Sequence, residues 1–299
     1  MKIALCFIIS YDHILNKEHI WRDWIKPNKD IMNVYFYYKD IKKIKSKWIL
    51  EQHVLPEEYI QKTSYFHVIP AYISLMNYAL IHDDKNKWFC FLTDSCCPII
   101  SPKRFRYLFY KYHNKSIMSW KQAWWNIHYH KRANLALLPE EYRLGNDCWF
   151  VMNREDIIRC LKFVKNKPEL TNLICKGGLA NESLFAIILQ SHDELKNVIC
   201  SVTHMTDWNR MSSPTSPHLF EKGDEMDIKF IENSLKENKF VLFIRKISPE
   251  FPDEIIHKYI YRESKKDNLL FFIQTISFFH FNIIINVFIF MFVIYFFLI

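Results

Sequence analysis

Residues 71–101, AYISLMNYALIHDDKNKWFCFLTDSCCPIIS, decide the fold class of this chain. Apolar side chains recur at helical spacing through Ile73, Met76 and Leu80, after a proline that suits the first turn of a helix. The apolar run WFCFL at residues 88–92 then ends in the polar sequence TDS, which is typical of a buried strand. The stretch therefore predicts a helix followed by a buried strand, a repeating unit of α/β domains.

The same alternation continues on both sides of this stretch. Short apolar runs predict strands at residues 3–10, 34–38, 146–153, 197–204 and 239–247. Helical patterns follow at residues 102–113, 154–164, 182–190 and from residue 252 onward. This order predicts an α/β fold with a mostly parallel central sheet flanked by helices. Polar groups at the strand ends then share one edge of the sheet, where open α/β sheets bind ligands.

Composition excludes several classes of site. Only four glycines occur in 299 residues, too few at the required spacings for a GxGxxG dinucleotide fingerprint or a GxxxxGK[ST] phosphate loop. Any bound nucleotide must therefore have its phosphates held by side chains. The eight cysteines form no CxxC pair, and His128 and His130 stand without further ligands, so no metal site is indicated.

The formal net charge of +8 indicates an anionic partner: nucleic acid, a membrane surface or a phosphorylated small molecule. Residues 39–48, KDIKKIKSKW, form the densest basic cluster, for which a solvated lysine-rich face is the simpler interpretation. No nucleic-acid-binding motif accompanies the charge, and we therefore expect no nucleic-acid partner.

Residues 269–299 contain no Asp, Glu, Lys or Arg and are long enough to cross a bilayer. We expect a single-pass C-terminal membrane anchor there, with a core helix or an interfacial segment as the alternative. Basic residues before the anchor favour a cytosolic location for the body, residues 1–264, and a luminal body is the alternative. The apolar run near residue 3 is short and lacks a small-residue cleavage site, so we interpret it as a strand and not as a signal peptide.

Five blocks of the sequence resemble, in order, the core-2/I-branching N-acetylglucosaminyltransferase and peptide xylosyltransferase family, that is, glycosyltransferase family 14. They are residues 71–101, LGNDCWFVMNRE at 144–155, LANESLFAIIL at 179–189, THMTDWNRMSSPTSPHLF at 203–220, and KFVLFIRKISPEF at 239–251. The resemblance covers about residues 1–251 and implies a GT-A-type glycosyltransferase fold.

The resemblance also implies a reaction. It is the inverting transfer of a sugar, such as GlcNAc or xylose, from a UDP-sugar to an acceptor hydroxyl on a glycan or protein. The family works without a metal, and this chain has no DxD, the motif with which most GT-A enzymes hold a divalent cation. We therefore expect no cofactor and no metal.

Glu182 matches the family's glutamate and is the candidate base for the acceptor hydroxyl. The alternative interpretation is local: Asn181 caps a helix, and Glu182 favours the positive end of its dipole. Asn181 and Ser183 stand where the family often has Asp and His. A catalytically inactive protein that binds nucleotide or glycan is therefore the alternative function.

Arg210 and Lys246 match the family's basic residues near the diphosphate. Arg245 is adjacent to Lys246, and alternation along a strand predicts that only one of the two, preferably Lys246, faces the site. Asp94 and Ser95 match a cleft-lining position at the end of a strand, where a simple cap is equally consistent.

Three further residues are weaker candidates. Asp40, after the second strand, is a candidate contact for the uridine. Arg143 and Trp149 flank the block in which the family contacts substrate and are candidates for acceptor binding. Trp149 suits stacking on a sugar ring, although a core tryptophan is the simpler interpretation.

Overall fold

The computed structural model describes residues 1–261, so the predicted membrane anchor at residues 269–299 lies outside the described residues. The strands are β1 (Lys2–Ile8), β2 (Met32–Tyr37), β3 (His53–Val54), β4 (Asn86–Thr93), β5 (Cys97–Pro98), β6 (Trp120–Gln122), β7 (Leu144–Asn146), β8 (Val151–Asn153), β9 (His204–Met205) and β10 (Phe243–Ile244). The α-helices are α1 (Glu18–Ile25), α2 (Lys47–Leu50), α3 (Ile69–His82), α4 (Pro102–Tyr112), α5 (Arg154–Asn166), α6 (Pro168–Lys176), α7 (Leu184–Ser191), α8 (Glu225–Glu237) and α9 (Asp253–Ile260). No helix in this part of the chain is long and apolar enough to span a bilayer.

The central sheet has the strand order β3-β2-β1-β4-β8, which confirms the predicted mixed α/β architecture. The first four strands are parallel, and β8 runs antiparallel to β4. In the middle of the sheet, Leu5 of β1 pairs with Val34 of β2 and Cys90 of β4. These strands are continuous apolar runs because both faces of a parallel sheet are covered.

Each face of the sheet has its own apolar core. Leu5 and Phe7 point to the core that includes α1 and α4, whereas Cys6 and Ile8 point to the core that includes α3, α5 and α7. Local sequence begins the helices: Pro70 lies in the first turn of α3, and the Asn153 side chain caps α5 by accepting from Asp156 N at 2.9 Å.

Two predicted strands are much shorter than expected. Most of the run 239–247 is buried, whereas the run 197–204 is buried only at Val198, Thr203 and His204. Regular pairing between the two segments is limited to the short strands β9 and β10. The carbonyl oxygen of Thr203 accepts from both Leu242 N at 2.9 Å and Phe243 N at 3.2 Å. The regular pairing of β10 with β9 therefore begins only at Phe243 and His204. An apolar run therefore does not require strand pairing along its whole length.

The short sheet β5-β10-β9 nevertheless places the site. Strand β10 is antiparallel to β5 and parallel to β9. Just beyond it, Ile247 N donates to Ser95 O at 2.8 Å. The residues that follow β10 therefore lie beside those that follow β4, at the carboxyl edge of the central sheet.

Candidate active site

A cavity at the carboxyl ends of β1 and β4 adjoins a second cavity. The first, here called the basic cavity, measures about 440 Å³ and is lined by residues that include Asp94, Ser95, Arg245 and Lys246. The second, the aromatic cavity, measures about 550 Å³ and is rimmed by Tyr65, Phe66, Trp124 and Trp208. Glu182 is one of the residues that line both cavities and is the carboxylate among them, so it lies where they meet.

Glu182 lies before its helix, not in the helix's first turn as expected. It ends a 3₁₀ turn, Ala180–Glu182, and α7 begins at Leu184. Asn181 is buried but does not cap the helix, and its Oδ1 has no hydrogen-bond partner among residues 1–261. The structure therefore does not support the interpretation in which Asn181 caps the helix and Glu182 favours the helix dipole.

Asn146 supplies the missing cap from another part of the chain. Its Oδ1 accepts from Ala186 N in the first turn of α7 at 3.2 Å, and its Nδ2 donates to Asn181 O at 2.9 Å. The side chain is buried and holds both the turn that carries Glu182 and the helix after it. Sequence reasoning missed this role, because the contact joins residues 40 positions apart.

Arg132 forms an ion pair with Glu182, its Nη1 lying 3.1 Å from Oε2. Burial raises the pKa of Glu182 above its usual value, while the guanidinium groups of Arg132 and Arg245 oppose that rise. The carboxylate is thus more basic than an ordinary glutamate, yet it keeps a charged partner. The sequence gave no signal for Arg132, since it belongs to an irregular segment 50 residues away.

The double glycine before Glu182 makes this ion pair possible. A Cβ on Gly177 would lie 2.2 Å from Asn134 N and 2.6 Å from Lys131 O, too close for any side chain. Gly178 has a φ of +68° and its carbonyl accepts from Ala133 N at 2.9 Å. The turn that carries Arg132 thus docks directly on the glycine pair, next to the turn that carries Glu182.

Asp147 is a second carboxyl group at the aromatic cavity. Burial raises its pKa to about 6, repulsion from Glu182 adds to the rise, and Lys121 opposes it. Sequence reasoning did not select Asp147, although it lies within the block 144–155. Two carboxyl groups in one cleft whose pKa values are both raised are typical of a functional site.

Arg245 and Lys246 both line the basic cavity, contrary to the expected alternation. The reason is that β10 ends at Ile244, so strand geometry does not extend to these two residues. The Arg245 guanidinium lies 4.7 Å from the centre of the Trp149 ring. Its buried Nε has no hydrogen-bond partner in the described chain, where no carboxylate lies within ion-pair distance of it either.

Lys246 donates to Ser216 Oγ at 3.0 Å. Burial lowers its pKa, and the charge of Arg245 lowers it further. Asp94 lies in the same cavity, where burial raises its pKa. Ser95 lines the cavity beside it. The structure therefore brings together four of the predicted nucleotide-sugar residues.

The structure does not bring Arg210 into either cavity. Its Nε donates to Asp207 Oδ2 at 2.7 Å, and its Nη2 lies 2.9 Å from Asp227 Oδ1. Asp207 also accepts from the backbone N–H groups of Asn209 and Arg210. Burial raises the pKa of Asp207, but these hydrogen bonds outweigh it and hold the pKa below its usual value. Arg210 thus holds the turn that presents Trp208, and its charge is already paired.

Asp40 and Arg143 also lie outside the lining of these cavities. Asp40 caps a 3₁₀ turn by accepting from Lys42 N at 3.0 Å, and its own N–H donates to Nε2 of the buried His13. Arg143 donates from Nε to Leu138 O at 2.9 Å. Trp149 does line the basic cavity, half-buried beneath Arg245, so it serves both the wall and the core.

No cluster of His, Cys, Asp and Glu side chains within residues 1–261 is arranged to hold a metal ion. The eight cysteines are all free thiols, and the pKa of Cys148, beside Glu182 and Asp147, is raised mainly by burial. What the cleft does offer is a half-buried carboxylate facing cationic side chains.

Comparison with known proteins agrees with this geometry. The family model for the core-2/I-branching enzyme matches residues 35–234. A search of curated proteins found no significant match. The matched region contains Glu182, Asp147 and both glycines of the docking turn, and it ends before Arg245. Since the match covers more than half of the chain, the protein belongs to the core-2/I-branching enzyme family of glycosyltransferases.

Proposed function

We propose that this protein transfers a sugar, with inversion, from a UDP-sugar to a hydroxyl of a glycan or protein, and that it needs no metal. One observation carries the proposal. Glu182, a half-buried carboxylate whose pKa is raised, stands where the basic cavity meets the aromatic cavity. An inverting transfer needs a base at such a junction, between the donor on one side and the acceptor on the other.

The proposed reaction begins when the acceptor oxygen attacks the anomeric carbon of the donor sugar. Glu182 takes the hydroxyl proton as the new glycosidic bond forms and the bond to the UDP diphosphate breaks. Burial supports this role because it makes the carboxylate a stronger base. The ion pair with Arg132 keeps the carboxylate ionised and restricts its rotamer before the acceptor binds.

Arg245 and Lys246 are proposed to bind the diphosphate and stabilise its charge as it leaves. Their mutual repulsion supports this, since the charge of Arg245 lowers the pKa of Lys246. An anionic ligand between them relieves that repulsion. Asp94 and Ser95, in the same cavity, are proposed to contact the nucleotide-sugar. Trp149 lines this cavity and not the aromatic cavity, so the geometry gives no support to the expected contact with the acceptor. Asp40 and Arg143 have no support from the geometry.

A panel of UDP-sugars tests the proposal directly. The full chain is incubated with UDP-GlcNAc, UDP-xylose, UDP-glucose and UDP-galactose, and melting temperature and UDP release are measured in EDTA and in Mn²⁺. At least one donor is expected to raise the melting temperature and to be turned over in EDTA. Strict dependence on Mn²⁺ overturns the metal-free mechanism, and no binding of any donor overturns the function.

The alternative, a catalytically inactive nucleotide- or glycan-binding protein, has its own observation. The buried Asn181 Oδ1 and Ser183 Oγ on either side of Glu182 have no hydrogen-bond partner in the described part of the chain. The neighbours of the proposed base thus do not orient it. Binding of a UDP-sugar without UDP release, at any acceptor concentration, supports this alternative.

We also propose that residues 269–299 anchor the protein to a membrane with the body on the cytosolic side. The support is the absence of charged residues in that segment and the basic residues before it. Alkaline extraction of membranes from cells expressing the full chain, compared with a chain ending at residue 264, tests the anchor. Protease protection of the body tests its side.

A further inference from the structure

Four large aromatic side chains on the rim of the aromatic cavity are exposed to solvent. Trp124 is 55% exposed, Trp208 54%, Phe66 53% and Tyr65 51%. They come from three separate segments of the chain and surround one opening that contains Glu182. Aromatic side chains gathered around a polar opening are unusual for a monomer's surface and mark a place where something binds.

Trp124 is held in place despite its exposure. Its ring packs edge-on against Trp125 with the centroids 4.8 Å apart, and the Lys121 ammonium lies 4.5 Å from its centroid. Gly145 leaves room for the ring, since a Cβ there would lie 2.6 Å from Trp124 Cζ3. Three neighbours thus set the orientation of a side chain that buries little of its own surface. A preset orientation lowers the entropy cost of binding a ligand on the ring.

The interior of the same cavity is polar. Glu182 and Asp147 offer carboxylate oxygens, and Lys121 and Arg132 offer N–H donors. Hydroxyl groups both donate and accept hydrogen bonds. Carboxylates and cationic side chains together therefore suit a ligand with several hydroxyls better than a ligand that carries charge of one sign. The cavity volume of about 550 Å³ lies within the range of sites for small molecules.

We propose that Trp124 is the stacking platform for a pyranose ring of the acceptor, in a subsite next to Glu182. A pyranose has a face of C–H groups, whose partial positive charge matches the negative face of an indole ring. Its hydroxyls then point to the carboxylates and cations of the interior. The inference rests on the proposed function, because it assigns the aromatic cavity to the acceptor. It specifies that the acceptor is a saccharide and not a bare peptide hydroxyl.

A peptide acceptor is the competing occupant, but the cavity favours the saccharide. A peptide would bring backbone N–H and C=O groups, for which an exposed strand edge is the usual partner. The rim offers aromatic faces instead, and the interior offers side chains of both charges. The combination of one apolar face and several hydroxyls is found in a sugar ring.

Saccharide binding tests this inference separately from catalysis. The probes are methyl β-glycosides of glucose, galactose, xylose and GlcNAc, their disaccharides, and serine-containing peptides. Binding to the full chain is measured by saturation-transfer NMR and titration, with UDP present. At least one saccharide is expected to bind, and Trp124→Ala is expected to weaken it by about 2- to 10-fold. Trp124→Phe, which keeps an aromatic face, is expected to recover part of the loss.

Tyr129→Ala is the matched control, since Tyr129 is 79% exposed, lies in the same segment and does not line the cavity. It is expected to leave saccharide affinity unchanged. Equal affinity in wild type and Trp124→Ala, or binding of peptides and no saccharide, overturns the inference. Saccharide binding that depends on Trp124 without release of UDP from any donor supports the subsite while the proposed transferase function fails.

Discussion

The two walls of the cleft treat charge in opposite ways. On the wall that follows β10, the buried Nε of Arg245 has no hydrogen-bond partner in residues 1–261, and the Lys246 ammonium donates to the Ser216 hydroxyl. On the wall that precedes α7, the Glu182 carboxylate is paired with Arg132 at 3.1 Å. The basic side chains of the first wall are available to an external anion, whereas the carboxylate of the second wall is already paired with an arginine of the protein.

The same contrast separates two arginines that the sequence does not distinguish. Arg210 forms ion pairs with Asp207 and Asp227, whereas Arg245 lies over the Trp149 ring. A cation whose charge is paired holds the fold, and a cation that lacks a carboxylate can bind a ligand. A basic residue in a block that resembles the family can therefore be assigned to ligand binding only when its ion-pair partners within the protein are known.

Glu182→Gln is expected to have the largest effect, because it removes the proposed base and leaves Arg245 and Lys246 intact. An amide cannot take the acceptor proton, and the transfer rate should fall by about 10²- to 10⁴-fold. The affinity for UDP, measured by titration, should stay the same. Glu221→Gln, at an exposed position, is the control. Full activity in Glu182→Gln would remove Glu182 from the role of base.

Arg210→Gln is expected to lower the free energy of unfolding by about 3 kcal/mol, because it removes the cation that pairs with two buried carboxylates, which keep only their other hydrogen bonds. This value is at the low end for buried pairs, since the Arg210 side chain is 21% exposed. Urea unfolding measures the effect. The control is Arg22→Gln, whose i,i+4 pair with Glu18 is exposed and should contribute under about 0.5 kcal/mol. Unchanged stability with lost UDP affinity would reverse the assignment of Arg210.

Arg245→Gln is expected to weaken UDP binding by about 10- to 100-fold, the loss expected for a charge-assisted hydrogen bond to an anion. The melting temperature without ligand should fall only slightly, since the guanidinium loses its contact with the Trp149 ring but has no ion pair in residues 1–261 to lose. Isothermal titration and thermal unfolding measure the two quantities. A destabilised variant with normal UDP affinity would make Arg245 a structural residue like Arg210.

Arg132→Gln is expected to have the smallest effect, a shift in the pH dependence of transfer. As the proposed base, Glu182 must be ionised to act, so activity is expected to fall as the pH drops through its pKa. Arg132 opposes the rise of that pKa, and its removal should move the acidic limb of the pH–rate profile to higher pH. Arg245 and Asp147 also face Glu182 and remain unchanged. Arg132→Lys, which keeps the charge, should restore much of the original profile, and an unshifted limb in Arg132→Gln would contradict the role.

Much of the fold was predictable because it depends on local patterns. The apolar runs of β1 and β4, Pro70 at the start of α3 and the cap Asn153 all act within a few residues of their own position. The lengths of β9 and β10 were not predictable. They depend on how two buried segments pair across the short sheet, which an apolar run does not specify.

The candidate site was also predictable only in part, for the same reason. The block that contains Glu182 selected this carboxylate as a candidate. The block that contains Arg245 and Lys246 favoured Lys246, whereas both side chains line the basic cavity. The block that contains Arg210 also suggested a ligand contact, but the structure pairs that residue internally. Arg132 and Asn146 were missed because each meets the Glu182 turn across a large separation in sequence, 50 residues between Arg132 and Glu182 and 40 between Asn146 and Ala186.

The sequence by itself determined the alternation of strands and helices, the resemblance of the five blocks, and the lack of glycine-rich phosphate loops and of a DxD motif. Only the tertiary structure decided that Gly177 and Gly178 receive the turn of Arg132, and that Arg245 keeps its charge unpaired while Arg210 does not. The physical reason is that secondary structure follows from neighbours along the chain, whereas burial and ion pairing follow from distances in space. The shift in the pKa of Glu182 follows from its burial and from its distances to Arg132 and Arg245.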